Sequence, residues 1–284
     1  MNNIQKNRWK DQAFKYWGIF CTIIGLVLLA VFIGDILIDG ISRIDWGFIT
    51  DLPSRKPEDS GIYTALMGSI WILFLTTIIA FPIGVAAGIY LEEYAKNNKL
   101  AGLLEINISN LAGVPSIIYG LLGLEVFVRI MNLGASVLAG SLTLSLLILP
   151  IVIVATREAI KAVPKSIKDA SYALGASKWQ TIWHQILPAS GGGILTGVIL
   201  ALSRAVGETA PLIVVGALAY VPFAPSSPMD QFSVMPIQIF NWISRPQSGF
   251  IENAAAAIII LLGITFIMNG IAVYFRNKWQ NKWK

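Results

Sequence analysis

The stretch ILTGVILALSRAVGETAPLIVVGALA, Ile194 to Ala219, is long and apolar enough to cross a bilayer, yet it carries Arg204 and Glu208 four residues apart and a proline at 211. A spanning helix needs about 20 predominantly apolar residues, which this stretch exceeds. A charge at the bilayer centre costs at least about 2.5 kcal/mol, so both side chains must face protein, water or a passing ligand. An intramembrane ion pair is thus the first functional clue.

The rest of the 284-residue chain reads the same way: 55% of it is hydrophobic and only 13% charged, too few charges for a soluble surface. Apolar windows at Trp17–Gly34, Ile62–Leu91, Ile106–Leu124, Ile130–Thr156, Gly191–Ala219 and Asn253–Phe275 predict an all-α membrane protein with six spans. With both termini inside, the inner segments hold Lys6, Arg8, Lys10, Lys15, Lys96, Lys99, Arg157, Lys161, Lys165, Lys168, Lys178, Arg276, Lys278, Lys282 and Lys284. The outer segments hold Arg43, Arg55, Lys56, Arg129 and Arg245, and fifteen against five sets the orientation. The net charge of +5 therefore reports topology, and no basic soluble domain supports nucleic-acid binding.

Residues 1–16 form a cytoplasmic N-terminal segment and 17–284 a single six-span domain, with an inner loop at 157–190 and an outer loop at 220–252. The first apolar window follows basic residues as a signal peptide would, but its length and lack of a small-x-small cleavage site before Asp35 make it a retained anchor. Cys21, the single cysteine, lies inside it and reads as a packing residue; His184 has no second ligand near it, so no metal site is expected. Gly84 with Gly88, and Gly193 with Gly197, have the spacing that lets helices approach closely. Pro82, Pro115 and Pro211 each interrupt a span.

Inside the inner loop, PKSIKDASYALGASKWQTIWHQILP (164–188) divides into two short helices. Ser166 with Asp169 and Ser177 with Gln180 fit capping boxes, and Gly175 is placed to end the first helix in a left-handed conformation. Ile167, Ala170 and Leu174 share one stripe, and Trp179, Ile182, Trp183 and Ile186 another. Small Ala170, Ser171 and Ala173 suit entry into a groove on another protein; an amphipathic loop resting on lipid headgroups is the alternative.

Asp169-Ala170-Ser171, Gly175 and Ile186-Leu187-Pro188 together resemble the EAA loop of ABC importer permeases, the coupling element that docks on a cytoplasmic ATPase. Asp169 stands where that pattern has Glu and Ser171 where it has Ala. LTGVILALSRAVGETAPL (195–212) and GVPSIIYGL (113–121) resemble the phosphate permeases of this family, and the similarity runs from about Gly61 to the end. The resemblance implies a type I ABC importer permease bundle with a cytoplasmic coupling helix pair. It also implies a second homologous permease, cytoplasmic ATPase subunits using ATP and Mg, an extracytoplasmic phosphate-binding protein and a bacterial plasma (inner) membrane location. Asp169, Ala170, Ser171, Ala173, Leu174 and Gly175 are then the ATPase-coupling residues. Arg204, Glu208 and Thr209 are candidate path residues for inorganic phosphate, with Pro115, Gly207 and Pro211 as backbone kinks beside them.

A guanidinium presents a planar fork that matches two phosphate oxygens at once. Arg204 is therefore expected to receive the anion while Glu208, one helical turn on, holds it when the path is empty; a permanent clasp between the two is the competing account. Glu125 with Arg129 reads as a solvated pair at the interface, and Arg157 with Glu158 as snorkelling end residues. Moving one negative charge inward against 100 mV costs about 2.3 kcal/mol, so import needs an energy source. The chain has no G-x-x-x-x-G-K-[ST] loop, which places ATP hydrolysis on another polypeptide and makes this chain itself non-catalytic. An ion-coupled secondary transporter, an importer for another oxyanion such as sulfate, and a membrane enzyme are the rivals.

Overall fold

A computed structural model describes residues 3–95, 99–217 and 220–280. Lys96, Leu218, Ala219, Lys282 and Lys284, which entered the topology reading, lie outside the described residues. The chain opens with α1 (Asn3–Gly40), then α2 (Trp46–Thr50) in the first outer loop, and α3 (Tyr63–Ile89), which widens into a π turn at Tyr90–Tyr94. The third span is α4 (Lys99–Leu111) followed by α5 (Ser116–Gly123), which widens at Leu124–Ile130. Next come α6 (Val137–Lys161), α7 (Lys165–Ala173), α8 (Lys178–Thr181) and α9 (Leu187–Val206). The chain ends with α10 (Ala210–Val215), α11 (Met235–Ile243) in the second outer loop, and α12 (Gly249–Gln280).

Five of these helices are long and apolar enough to span a membrane, and the bent α4–α5 pair makes a sixth span. The third, fourth and fifth spans differ from the sequence reading: Ile130 closes the third span and the fourth begins at Val137. The third span turns through 103° between Leu111 and Ser116, where Pro115 takes an extended conformation, and the Tyr119 hydroxyl donates to the Leu111 carbonyl at 2.8 Å. The fifth span begins at Lys178 and ends at Val206. Pro188 does not stop it, because the π turn at Ile182–Ile186 bonds Leu187 N–H to the Ile182 carbonyl and absorbs the register change just before the proline. Pro82 also leaves its helix unbroken.

Helix α6 lies between α3 and α9, and glycines set both approaches. A Cβ on Gly84 or Gly88 of α3 would stand 2.6 Å from Val152 or Thr156, and one on Gly197 or Gly193 of α9 would stand 2.1 Å from Ala155 or 2.7 Å from Ala159. Leu144, Ile148 and Val152 of α6 fill the resulting core with Ile72 of α3 and Ile194 and Ala201 of α9. Gly197→Leu is expected to force α6 and α9 apart at a cost of about 1–3 kcal/mol. Thermal unfolding followed by tryptophan fluorescence should show a clear fall in midpoint, while Gly263→Leu, where an added Cβ meets nothing within 4 Å, should leave it unmoved.

The loops that carry α2 and α11 cover one end of the bundle. Phe48 of α2, Trp242 of α11 and Phe250 of α12 are fully buried together, with 5.8 Å between the Phe48 and Trp242 ring centres. Arg43 is more than a topology marker: its Nε donates to the Asn253 side chain at 2.8 Å, one Nη donates to the Glu58 carbonyl at 2.7 Å, and its guanidinium covers the Phe48 ring. Farther along, the N–H groups of Ser226 and Ser227 and the Ser226 hydroxyl hold the Asp230 carboxyl below its usual range.

Candidate functional site: the break in the fifth span and the inner coupling face

Helix α9 ends at Gly207, and Glu208 and Thr209 sit in the break before α10. Glu208 is therefore not one helical turn beyond Arg204, as the sequence spacing implies; it meets Arg204 from the kink. Arg204 Nε faces Glu208 Oε1 at 3.4 Å, a long contact, with the arginine side chain 43% exposed and the carboxylate 15%. Among the described residues the two Nη groups of Arg204 have no hydrogen-bond acceptor. The arginine lies in the last turn of α9, where a cation complements the helix dipole.

Pro211 is the second residue of α10, a position where its missing N–H removes no helical bond. Thr209 Oγ1 donates to the Gly207 carbonyl at 3.3 Å across the break. The two broken spans meet here: a Cβ on Gly120 of α5 would lie 2.8 Å from Pro211 Cα. Tyr119, anchored to the bend of the third span, lies within electrostatic reach of Arg204. Thus Pro115, Gly207 and Pro211 mark two half-helices that pack on each other beside an exposed guanidinium. Backbone irregularity at membrane depth is tolerated where it is buried in protein or lines a cavity. An exposed fork with two unused N–H edges, backed by a mostly buried carboxylate, can take a planar contact from an oxyanion and return to Glu208 when empty.

At the other end of the bundle, α7 and α8 form a helix-turn-helix closed by a 2.8 Å hydrogen bond between the Ser171 and Thr181 hydroxyls. The Ser177–Gln180 capping box forms and Gly175 takes φ +81°, both as the sequence predicts. The Ser166–Asp169 box does not, because Pro164 starts the helix and places Ser166 inside its first turn. Asp169, Ala170, Ala173, Leu174 and Gly175 are exposed, Leu174 at 90%, whereas Ser171 turns inward to Thr181. Ile182 and Ile186 are buried, and Trp179 and Trp183 stack on each other outside. The expected single stripe on the second helix therefore splits between core and surface.

Arg157 is not a snorkelling end residue. It reaches Glu105 of α4 at 2.9 Å and Glu92, at the inner end of α3, at 3.7 Å, with 14% of its side chain exposed. The adjacent Glu93 pairs with Lys168 of α7, and its carbonyl accepts from Lys178 of α8, whose ammonium covers the Tyr94 ring at 4.6 Å. Glu92 and Glu93 are functional candidates that the sequence expectations do not include. The one available signal was two consecutive carboxylates on an otherwise basic inner face. Glu158 pairs with Lys161, and Glu125 with Arg129, on the surface. Among the described residues no cluster of His, Cys, Asp or Glu is arranged to hold a metal ion.

Six spans, two of them broken at facing positions, and an exposed inner helix pair define an importer-type permease subunit. The chain belongs to the family described as binding-protein-dependent transport system inner membrane component, whose model matches residues 80–281. It is 33% identical over 264 residues to the "Probable ABC transporter permease protein YqgI" of Bacillus subtilis strain 168, covering 88% of this chain and 90% of that one. It is also 33% identical over 279 residues to the "Phosphate transport system permease protein PstA" of Yersinia pestis, covering 96% and 94%. Its fold matches a chain in the crystal structure of a bacterial ABC transporter involved in import of the acidic polysaccharide alginate, with TM-score 0.68, 14% identity and coverage of 98% and 99%. The architecture is thus the type I ABC importer permease bundle, and the chain is a multi-pass permease subunit of an ABC importer.

Proposed function

We propose that this permease carries inorganic phosphate inward, forming half of a path completed by a second, homologous permease and driven by separate ATPase subunits that use ATP and Mg. The observation that carries the reading is Arg204, a guanidinium at a helix break with both Nη groups unused among the described residues and 43% of its side chain exposed. Relatives named as phosphate transport permeases support the choice of oxyanion. On this reading Arg204, Glu208 and Thr209 touch the passing anion, and the chain itself performs no chemistry.

The ATPase docks on the exposed face of α7, through Asp169, Ala170, Ala173, Leu174 and Gly175, with Ser171 holding that face in place. Both termini lie in the cytoplasm of a bacterium, residues 157–190 form the coupling segment, and residues 220–252 face outward. A concavity of about 750 Å³ joins the two outer loops, with Asp51, Arg55, Lys56 and Tyr220 on its walls. Its mixed charge suits a phosphate-binding protein that docks and releases.

The test is to purify the chain from its native membrane, identify what travels with it and reconstitute the whole assembly in vesicles. ATP-dependent phosphate accumulation, with an ATPase, a second permease and a binding protein present, is the expected result. Isolation as a single chain with ion-driven uptake, or accumulation of sulfate in place of phosphate, overturns it.

A further inference from the structure

We propose that Glu93 is the residue through which motion of the coupling helices enters the second span, so that the inner end of α3 is pulled directly. This rests on the importer reading above. Covalent continuity joins α7 and α8 to α6 through residues 162–164 and to α9 through the π turn at Ile182–Ile186. Nothing covalent joins them to α3. Ile89 of α3 packs against the cluster of Ile160, Ile182 and Ile186, and beyond that apolar contact the link is polar: Lys168 of α7 holds the Glu93 carboxylate, and Lys178 of α8 holds the Glu93 carbonyl.

The second contact adds a backbone tie, while the carboxylate pair with Lys168 is the part that a change of the Glu93 side chain removes. A carboxylate can rotate away under load, but a carbonyl belongs to the helix backbone, and it is one of the acceptors left unpaired where a helix ends. A cation there is also favoured by the helix dipole. Glu92, one residue earlier and turned about 100° around the helix, faces Arg157, which in turn holds Glu105. The two carboxylates thus gather cations from α6 and α7, and the Glu93 carbonyl one from α8, onto the end of α3, and the Arg157 limb extends the cluster to α4. Glu92 and Glu93 are only 8% and 9% exposed. Ion pairs buried to this degree hold two arrangements apart, since a charge pulled from its partner is left uncompensated.

The experiment uses the complete reconstituted complex, with Cys21→Ser in this chain and cysteine-free partners, and reads phosphate moved per ATP hydrolysed. Glu93→Gln is expected to lower that ratio at least about fivefold, the lower end of usual coupling energies. In Glu93→Cys with Lys168→Cys, a short bifunctional thiol crosslinker should restore the ratio to within about twofold of the parent, the ordinary spread for non-interacting changes. A ratio in Glu93→Gln equal to the parent's, or a crosslink that restores nothing, overturns the proposal. A merely structural role for Glu93 would lower assembly without changing the ratio of the complexes that do form.

Should the parent complex move no phosphate, the substrate reading fails while the relay is still measured. Spin labels at Lys165 and Ile83, both exposed, then report the separation of α7 from α3 during ATP turnover. A narrow, constant distance in the parent that broadens in Glu93→Gln supports the relay; equal widths in both sink it.

Discussion

Arg204→Lys is expected to leave the protein assembled in the membrane and to cut phosphate uptake by roughly ten- to a hundredfold. A lysine keeps the positive charge but replaces a planar fork by a point charge. A hydrogen bond to a charged group contributes about 1.5–3 kcal/mol, and each 1.4 kcal/mol is about tenfold in rate or affinity. Losing one of the two fork contacts therefore gives the stated range. The existing contact to Glu208 is long at 3.4 Å and uses only Nε, so a lysine can replace it with little structural consequence. That asymmetry separates the two accounts of the pair. A clasp needs only opposite charges, so it predicts normal uptake in Arg204→Lys. Vesicle uptake of labelled phosphate at equal complex content is the measurement, and near-parental uptake would leave the clasp as the better description.

Leu174→Asp is expected to detach the ATPase while the permease folds as before. Leu174 is 90% exposed, so the substitution removes almost no packing within this chain. Leu174 follows exposed Ala170 and Ala173 at the end of α7, on the face that the proposed ATPase would cover. Truncating or charging a central anchor costs about 2 kcal/mol or more, which weakens association roughly thirtyfold or beyond. Copurification of the ATPase with tagged permease should fall accordingly, with the permease's own thermal midpoint unchanged. Retention of the ATPase at parental levels would move the docking surface away from α7. Ser171→Ala offers a contrast: it removes the 2.8 Å tie to Thr181 and leaves the exposed face intact, so its effect should be far smaller.

These two predictions rest on residues that the sequence already exposed. Arg204 and Glu208 stand out because an ionisable group in an apolar run is rare and must have a reason. The α7 face stood out through its small residues and the left-handed glycine at 175. Their environment was less legible. The four-residue spacing suggested two side chains on one helix face, and the structure instead brings them together across a kink. Ser171 looked like a docking residue and is a tie to Thr181, because a small polar side chain gives no hint of which neighbour it faces.

The sequence by itself determined the number of spans, the expected orientation, the presence of two charges in an apolar run and the turn at Gly175. Each depends on local properties: hydropathy over about 20 residues, the bias of Lys and Arg, or the φ angle one residue must adopt. Tertiary structure alone decided the 103° bend of the third span, the run of the fifth helix through Pro188, and the junction where Glu92 and Glu93 gather Arg157, Lys168 and Lys178. Those features join residues up to 85 positions apart, and such pairings follow from which helix ends packing brings side by side. Sequence spacing carries no record of that, because charges on a membrane's inner face read alike until the helices beneath them are placed.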